Sequence, residues 1–456
     1  VKEPGAILLV ACYELGHQPL AVAWPAAFLE RAGYAPAVMD VSVEPLDAER
    51  VQRAKLVAIS VPMHTALRLG VKVAERVRVL NAACHIAFYG LYATLNADHL
   101  LAGVADSVMS GEVDAALVDL ARSLAGASAG EPDRGARRTV LDKLAFPVPS
   151  RDQLPSLKKY AHLERNGGLA LAGYVEASRG CKHQCRHCPI PPVYGGRFFV
   201  VPVDVVLADV RQQVEAGATH VTFGDPDFLN GPGHALAVAR ALHREFPELS
   251  FDFTAKIEHL LRQRAYLLEL ARLGCVFIVS AAESLSDTVL THLDKGHTRA
   301  DLDAAVRLVS ETGITLRPTW VPFTPWTSLD DYRELLDFIA AHQLIDATDP
   351  VQYAIRLLIP PGSLLLESPA LRPYLGELVE AQFYHRWTHP DPRMETLHAD
   401  VSSLVAGAAD QRQDPAVVFQ RVRELADRAA GVAARAFTPP AANRKRPPRL
   451  TESWFC

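Results

Sequence analysis

The chain predicts an α/β protein built as two successive sheets: an open parallel sheet over the first 125 residues, then a six-stranded partial (β/α) barrel followed by a short helical carboxyl-terminal extension. Three observations carry this. Short apolar runs alternate with longer amphipathic stretches from Ile7 to Leu358. The runs are mostly continuous in apolar residues, as strands buried on both faces require. The composition, 49% hydrophobic and 22% charged over 456 residues, is that of a globular chain able to bury more than one core.

In the first sheet, strands are read at 7–11, 35–40, 56–61, 85–89 and 107–109, with helices at 20–32, 47–54, 67–81, near 97–101 and at 113–124. This order reads as a flavodoxin-like (Rossmann-like) sheet, which binds ligands beyond the carboxyl ends of its strands. The loops found there are Ser60-Val-Pro62-Met63-His64-Thr65, Gly90-Leu-Tyr92 and Ser110-Gly111-Glu112. Residues 126–166 read as a linker, because 126–138 is rich in glycine, alanine, serine and charge, and Phe146-Pro-Val-Pro149 and Leu154-Pro155 follow. The barrel is assigned to 167–390, with strands at 174–178, 220–223, 251–255, 276–281, 315–322 and 351–358 and helices at 204–216, 235–245, 260–273, 301–312 and 329–342. Such a TIM-type unit carries its chemistry on the loops at the carboxyl ends of the strands. A helical extension at 391–436 and a proline-rich tail at 437–456 complete the chain.

Charge excludes some functions. The formal net charge is −5 with both signs interspersed, so neither a nucleic-acid face nor a polybasic membrane patch is expected. Arg444-Lys-Arg446 reads as a solvated linker. The apolar run at 6–12 is too short for a signal-peptide core or a membrane span, and the expected location is cytoplasmic. Seven cysteines, three of them clustered, suit a reducing compartment better than a disulfide framework.

That cluster, Cys181-Lys-His-Gln-Cys185-Arg-His-Cys188, is the most informative stretch. Thiolates suit zinc, copper or iron–sulfur centres, and spacings of three and two let one loop turn three sulfurs toward a single centre. Three ligands leave one corner of a four-iron cube free to bind a substrate or cofactor. The competing reading is a zinc loop with His183 or His187 as fourth ligand.

The spacing, placed after a strand-like run ending in Gly180, resembles the radical S-adenosylmethionine (SAM) superfamily. The resemblance implies a 4Fe-4S cluster whose open iron chelates SAM and releases a 5'-deoxyadenosyl radical. It implies that His187 lies against the adenine and that Gly224-Asp225-Pro226 takes the SAM amino group. Lys256 would meet the carboxylate and Glu283, in Ser280-Ala-Ala-Glu283-Ser284, the ribose. Leu293-Asp-Lys-Gly-His297, Arg317 and the turn Ile359-Pro-Pro-Gly362-Ser363 continue the likeness. The first sheet is similar to the cobalamin-binding domain that precedes many such barrels. This implies that Ser60, Pro62, Met63, His64, Gly90, Gly111 and Glu112 surround a corrin ring. The D-x-H-x-x-G run that gives some such domains a cobalt ligand is absent, the nearest match being Glu14-Leu-Gly-His17. Aromatic residues Phe198, Phe199, Trp320, Phe323 and Trp326 read mainly as core that also walls a pocket. Cys12, Cys84 and Cys275 read as core.

The ending Arg449-Leu-Thr-Glu-Ser-Trp-Phe-Cys456, with Pro189-Ile-Pro-Pro-Val-Tyr-Gly-Gly196 and Phe223-Gly-Asp-Pro-Asp-Phe-Leu-Asn230, resembles the CUAEP/CCAEP-tail radical SAM family, in which Cys456 would precede selenocysteine. The leading expectation is a cobalamin-dependent radical SAM enzyme that methylates an unactivated carbon of a small-molecule or peptide substrate, fed by a donor such as flavodoxin or ferredoxin. The alternatives are radical formation of C–S, C–Se or C–metalloid bonds with the Cys456 thiol, and a cobalamin or redox sensor without catalysis.

Overall fold

A computed structural model describes residues 1–126, 135–435, 440–441 and 443–452. The first sheet contains β1 (Ile7–Ala11), β2 (Ala37–Asp40), β3 (Leu56–Ser60), β4 (His85–Tyr89), β5 (Ser107–Gly111) and β6 (Ala136–Val140), all parallel, in the order β2-β1-β3-β4-β5-β6. β1, β3 and β4 are buried along their whole length, which explains their unbroken apolar runs. Strand order reverses between β1 and β3, opening a crevice at their carboxyl ends.

β6 lies inside the stretch read as linker. It is an edge strand, Ala-Arg-Arg-Thr-Val, with Arg137, Arg138 and Thr139 exposed, so backbone pairing to β5 holds it and no apolar pattern announces it. Gly111 pairs with Val140 at φ +79°, and a Cβ there would run into the Val140 carbonyl. This glycine serves the approach of β6.

The second sheet begins with β7 (His162–Arg165), also in the presumed linker, antiparallel to β8 (Gly168–Val175). A hairpin of β9 (Ser178–Gly180) and β10 (Phe198–Val200) brackets the cysteine loop. β11 (His220–Phe223), β12 (Ser250–Thr254), β13 (Cys275–Glu283) and β14 (Thr315–Trp320) continue parallel to β8. The sheet therefore curls as a half-barrel. The sixth expected strand, 351–358, is instead a 3₁₀ turn, Pro350–Ala354, followed by one bridge between Phe323 and Arg356. Pro350 favours the turn, and the Gln352 side chain accepts from the Trp320 amide at 2.9 Å, taking the place of a strand partner there.

A small hairpin, β15 (Leu375–Val379) with β16 (Tyr384–Trp387), precedes the two helices of the extension, Pro392–Asp410 and Pro415–Ala429. In the tail, β17 (Arg449–Leu450) pairs with β7 and extends the half-barrel sheet at its open edge. One apolar core runs unbroken from the helix Leu20–Arg31 on the first sheet into the barrel, so the two units pack as one body.

Candidate active site

Gly180 ends β9 at φ +75°, where a Cβ would press on the Arg197 carbonyl and the Tyr194 ring, and the chain turns there into the cysteine loop. Cys181 and Cys185 are buried and Cys188 half-buried. Burial, with Cys185 and Cys181 alongside, pushes the Cys188 thiol up to about 12. Burial raises the Cys181 thiol as well, and a nearby cation would favour the thiolates of both, which fits a metal centre. Cys12 and Cys84 are pushed up by burial to about 12 and about 11, and Cys275 higher still, as inert core thiols. His187 Nε2 is committed to Glu283 Oε1 at 3.1 Å, and His183 Nε2 faces His259 Nε2 at 3.2 Å. Among the described residues the loop thus offers three sulfur donors, with both candidate histidines of the zinc reading engaged elsewhere.

Around the loop the barrel gathers charge. Glu283, at the end of β13 in a left-handed conformation (φ +63°), accepts from Lys295 Nζ at 3.0 Å. Both are nine-tenths buried or more. Burial opposes the ionisation of Glu283, yet Lys295 and His187 outweigh it and hold the carboxyl well below the usual range. Burial also works against the Lys295 charge, but Glu283 and the thiols of Cys185 and Cys188 raise its pKa. Lys256 is buried too, with Nζ 3.7 Å from Glu258 Oε2. A Cβ on Gly296 would stand 3.6 Å from Lys256 Nζ. Lys295 stood inside the quoted Asp-Lys-Gly-His run without being singled out; a lysine in an otherwise buried stretch was the available signal.

His187, Lys256 and Glu283 therefore collect about the cysteines. Gly362 turns at φ +73° against Leu95, and Ser363 Oγ donates to the Arg186 carbonyl at 3.3 Å, so that turn braces the loop. Ser280 Oγ donates to Ala255 O at 2.6 Å and ties β13 to the segment after β12. His187 Nδ1, Asn230 Nδ2 and His297 Nδ1 are buried without hydrogen-bond partners. Orphaned polar atoms beside two buried ammonium groups fit a polar, carboxylate-bearing ligand such as SAM.

Two cavities adjoin this region. One, about 220 Å³, lies between the sheets, walled by Ser60, Pro62, Met63, Gly90 and Gly111 on one side and by Tyr174, Arg179, Gly224 and Pro226 on the other. The second, about 290 Å³, sinks into the half-barrel among Thr222, Asp225, Asp252, Phe277 and Arg317, with Glu452 of the tail at its edge. They share Leu15, Tyr174, Ile190, Gly224 and Pro226. Gly224 is required, since a Cβ would collide with the Tyr174 phenol, whose ring stacks on His17 at 4.3 Å.

Five of the seven residues expected around a corrin line the first cavity. His64 and Glu112 are not on its wall. His64 Nε2 is bonded to the Gln382 carbonyl at 2.7 Å, so it is not free to face cobalt. Glu112 is fully buried, accepting from Tyr194 Oη at 3.0 Å and lying 3.5 Å from Arg179, a clasp between the two sheets. Ser60 and Gly90 stand on this wall, Gly90 at φ +112° where a Cβ would press on the Val61 backbone. The cavity is smaller than a corrinoid, so admitting one requires its walls to part.

Two SAM candidates are already occupied. Asp225 accepts from Ala177 N at 2.9 Å and from Ser178 Oγ, and burial pushes its carboxyl up to about 7. Arg317 pairs with Asp349 at 3.0 Å inside the second cavity, away from the cysteine loop's charge cluster. Of the aromatics named from sequence, Trp320 and Phe323 are core. Cys456 lies outside the described residues.

Residues 175–339 match the model of the radical SAM superfamily, so this stretch is a radical SAM domain, a unit that uses a 4Fe-4S cluster and SAM. Among its sequence relatives, hopanoid C-3 methylase of Methylococcus capsulatus is 24% identical over 68% of this chain and 62% of the relative. 4'-Phospho-dehydrooxetanocin synthase of Priestia megaterium is 27% identical over 46% of this chain and 30% of its own. The chain thus spans between about a third and three fifths of these relatives. The structure of the cobalamin-dependent SAM radical enzyme OxsB with aqua-cobalamin bound superposes with a TM-score of 0.69 at 15% identity, covering 88% of this chain and 67% of that one. The methyltransferase TsrM from Kitasatospora setae, with tryptophan and a SAM analogue bound, gives 0.63 at 16% identity, covering 87% and 88%. At such identity these neighbours share the fold. The likeness reaches the radical SAM superfamily and not the narrower tail-defined family.

Proposed function

We propose that this chain is a radical SAM enzyme, a cobalamin-dependent methyltransferase acting on an unactivated carbon. The observation that carries the reading is the junction at Ile190, two residues beyond Cys188, which lines both the cavity at the carboxyl edge of the first sheet and the cavity inside the half-barrel. The two cavities therefore share a wall that leads from the cysteine loop to the barrel and to the crevice where an open parallel sheet binds its ligand. When bound, the cluster supplies an electron to SAM and cobalamin carries a methyl group.

The chain's own residues hold and orient. Cys181, Cys185 and Cys188 anchor the cluster. Lys295, fixed by Glu283, and Lys256 present ammonium groups to the SAM carboxylate. His187 stands beside that site with Nδ1 unsatisfied. Ser60, Pro62, Met63, Gly90 and Gly111 form the face that receives the corrinoid, with no histidine ligand offered to cobalt from His64. The half-barrel cavity is sized for a small molecule or one side chain of a peptide, and excludes water from it. Neighbours and relatives described as methylases or methyltransferases support this reading. A one-electron donor of the flavodoxin or ferredoxin kind completes it. No described helix is long and apolar enough to cross a membrane. The thiol-tail alternative has no observation in its favour.

The test is anoxic reconstitution with iron, sulfide and hydroxocobalamin. A cluster spectrum, a corrinoid retained through gel filtration, and SAM consumption under reduction are expected. Formation of 5'-deoxyadenosine without corrinoid retention would rule out the methyltransferase reading while leaving the radical SAM domain intact.

A further inference from the structure

The cysteine loop carries a second cluster of ligating side chains that the SAM chemistry does not use. His183, midway between Cys181 and Cys185, meets Asp227 from the segment after β11 and His259 from the helix Ile257–Arg262 after β12. One ligand atom from each lies within 4.8 Å of the other two. The two Nε2 atoms face each other at 3.2 Å. Asp227 Oδ2 is 3.8 Å from His183 Nε2 and 2.8 Å from His259 Nδ1. The last contact is not a hydrogen bond, because the ring nitrogen does not point at the oxygen, and His259 Nδ1 is left buried and unpartnered in a residue 5% exposed. Asp227 is fully buried; Oδ1 accepts from the Leu229 amide at 3.0 Å and Oδ2 from the Lys256 amide at 3.3 Å. Both bonds come from the backbone, and among the described residues no lysine or arginine pairs with this carboxylate.

Two nitrogens each 2.0–2.1 Å from one metal at a tetrahedral angle stand roughly 3.4 Å apart, close to the separation of the facing imidazoles. Two histidines and one carboxylate form a donor set for zinc or another first-row divalent ion, with a position left open. The nearest opposing charge, Lys256, sits by Glu258, whose Oε2 is also 3.7 Å from His183 Nδ1.

We propose that His183, Asp227 and His259 bind a divalent transition-metal ion separate from the cluster, clipping the cysteine loop to the segments that follow β11 and β12. The site does not depend on the methyltransferase reading.

Zinc chloride added to cluster-loaded full-length protein, followed by gel filtration and metal analysis, tests it. The expected result is about one zinc per chain beyond the iron, with affinity at least about tenfold weaker in His259→Ala and in Asp227→Ala while both keep their iron. X-ray absorption at the zinc edge of the unsubstituted protein decides independently of how the variants fold: imidazole and oxygen ligands support the site, and sulfur at about 2.3 Å, meaning zinc on the cysteines, overturns it. No retained zinc, or zinc held equally by both variants, overturns it as well.

Discussion

Glu283 and Lys295 form a buried ion pair, Oε1 to Nζ 3.0 Å, in which a carboxylate at the end of β13 fixes an ammonium group beside Cys185 and Cys188. Removing one partner leaves the other charged in a dry site, which costs about 3–5 kcal/mol. Lys295→Met should therefore lower unfolding stability by that order in urea titration and weaken SAM binding. The double substitution with Glu283→Gln should cost less than the sum of the two single ones. The pH sign follows from the depressed Glu283 pKa: its contribution is present above the unfolded value, about 4.3, and is lost as pH falls through the folded value. That acid-sensitive component should be missing in Lys295→Met.

Gly111→Ala tests the packing of β6. The backbone there sits at φ +79° and a Cβ would strike the Val140 carbonyl. Strain alone costs about 1–3 kcal/mol and the clash adds to it. Gly33→Ala is the control, with φ +84° and nothing within 4 Å of the added carbon. Thermal unfolding should show the Gly111 variant less stable than the control; equal shifts would mean that β6 does not press on β5.

The half-barrel, the parallel sheet and the cysteine loop were legible because each has a local signature: buried strands as apolar runs, helices as amphipathic ones, and three thiols at fixed spacing. What escaped depends on partners distant in sequence. β6 is polar because it is an edge, and β7 is four residues long. The sixth barrel strand was read from Val351 to Leu358, yet a glutamine side chain takes its acceptor role at Trp320. Position after a strand made Glu112, His64 and Asp225 candidate ligands, and the fold adds hydrogen bonds to them from Tyr194, with the Gln382 carbonyl and from the Ala177 amide, that no sequence pattern announces. Lys295 matters because the fold places it against Glu283, twelve positions earlier.

Cys185→Ala separates the two halves of the site. It removes one of three cluster anchors, so iron content and SAM cleavage should fall to background. The first sheet has a second core cluster, built almost wholly from its own residues, and none of Ser60, Pro62, Met63 or Gly90 lies on the cysteine loop. Corrinoid retention should stay within about twofold of the unsubstituted chain, since a surface that keeps its contacts keeps its affinity. Joint loss of iron and corrinoid would show that the cavities are not built independently.

Glu14 lies on the wall of the cavity between the sheets, and burial, with Glu176 nearby, pushes its carboxyl up to about 8. A carboxyl with a raised folded pKa is protonated in both states below the unfolded value, so it costs nothing there. As pH rises from about 4.3 toward 8 the unfolded chain ionises first and stability declines; above 8 the loss is complete. Glu14→Gln removes the titration and keeps an oxygen to accept from the Ala21 amide, now at 3.2 Å. The variant should match the parent near pH 4.5 and gain on it steadily up to pH 8, by at most about 1.4 kcal/mol per unit of the pKa difference, measured by urea unfolding without cofactors. A difference independent of pH would mean that the Glu14 carboxyl titrates alike in the folded and unfolded chains, and would remove the raised pKa.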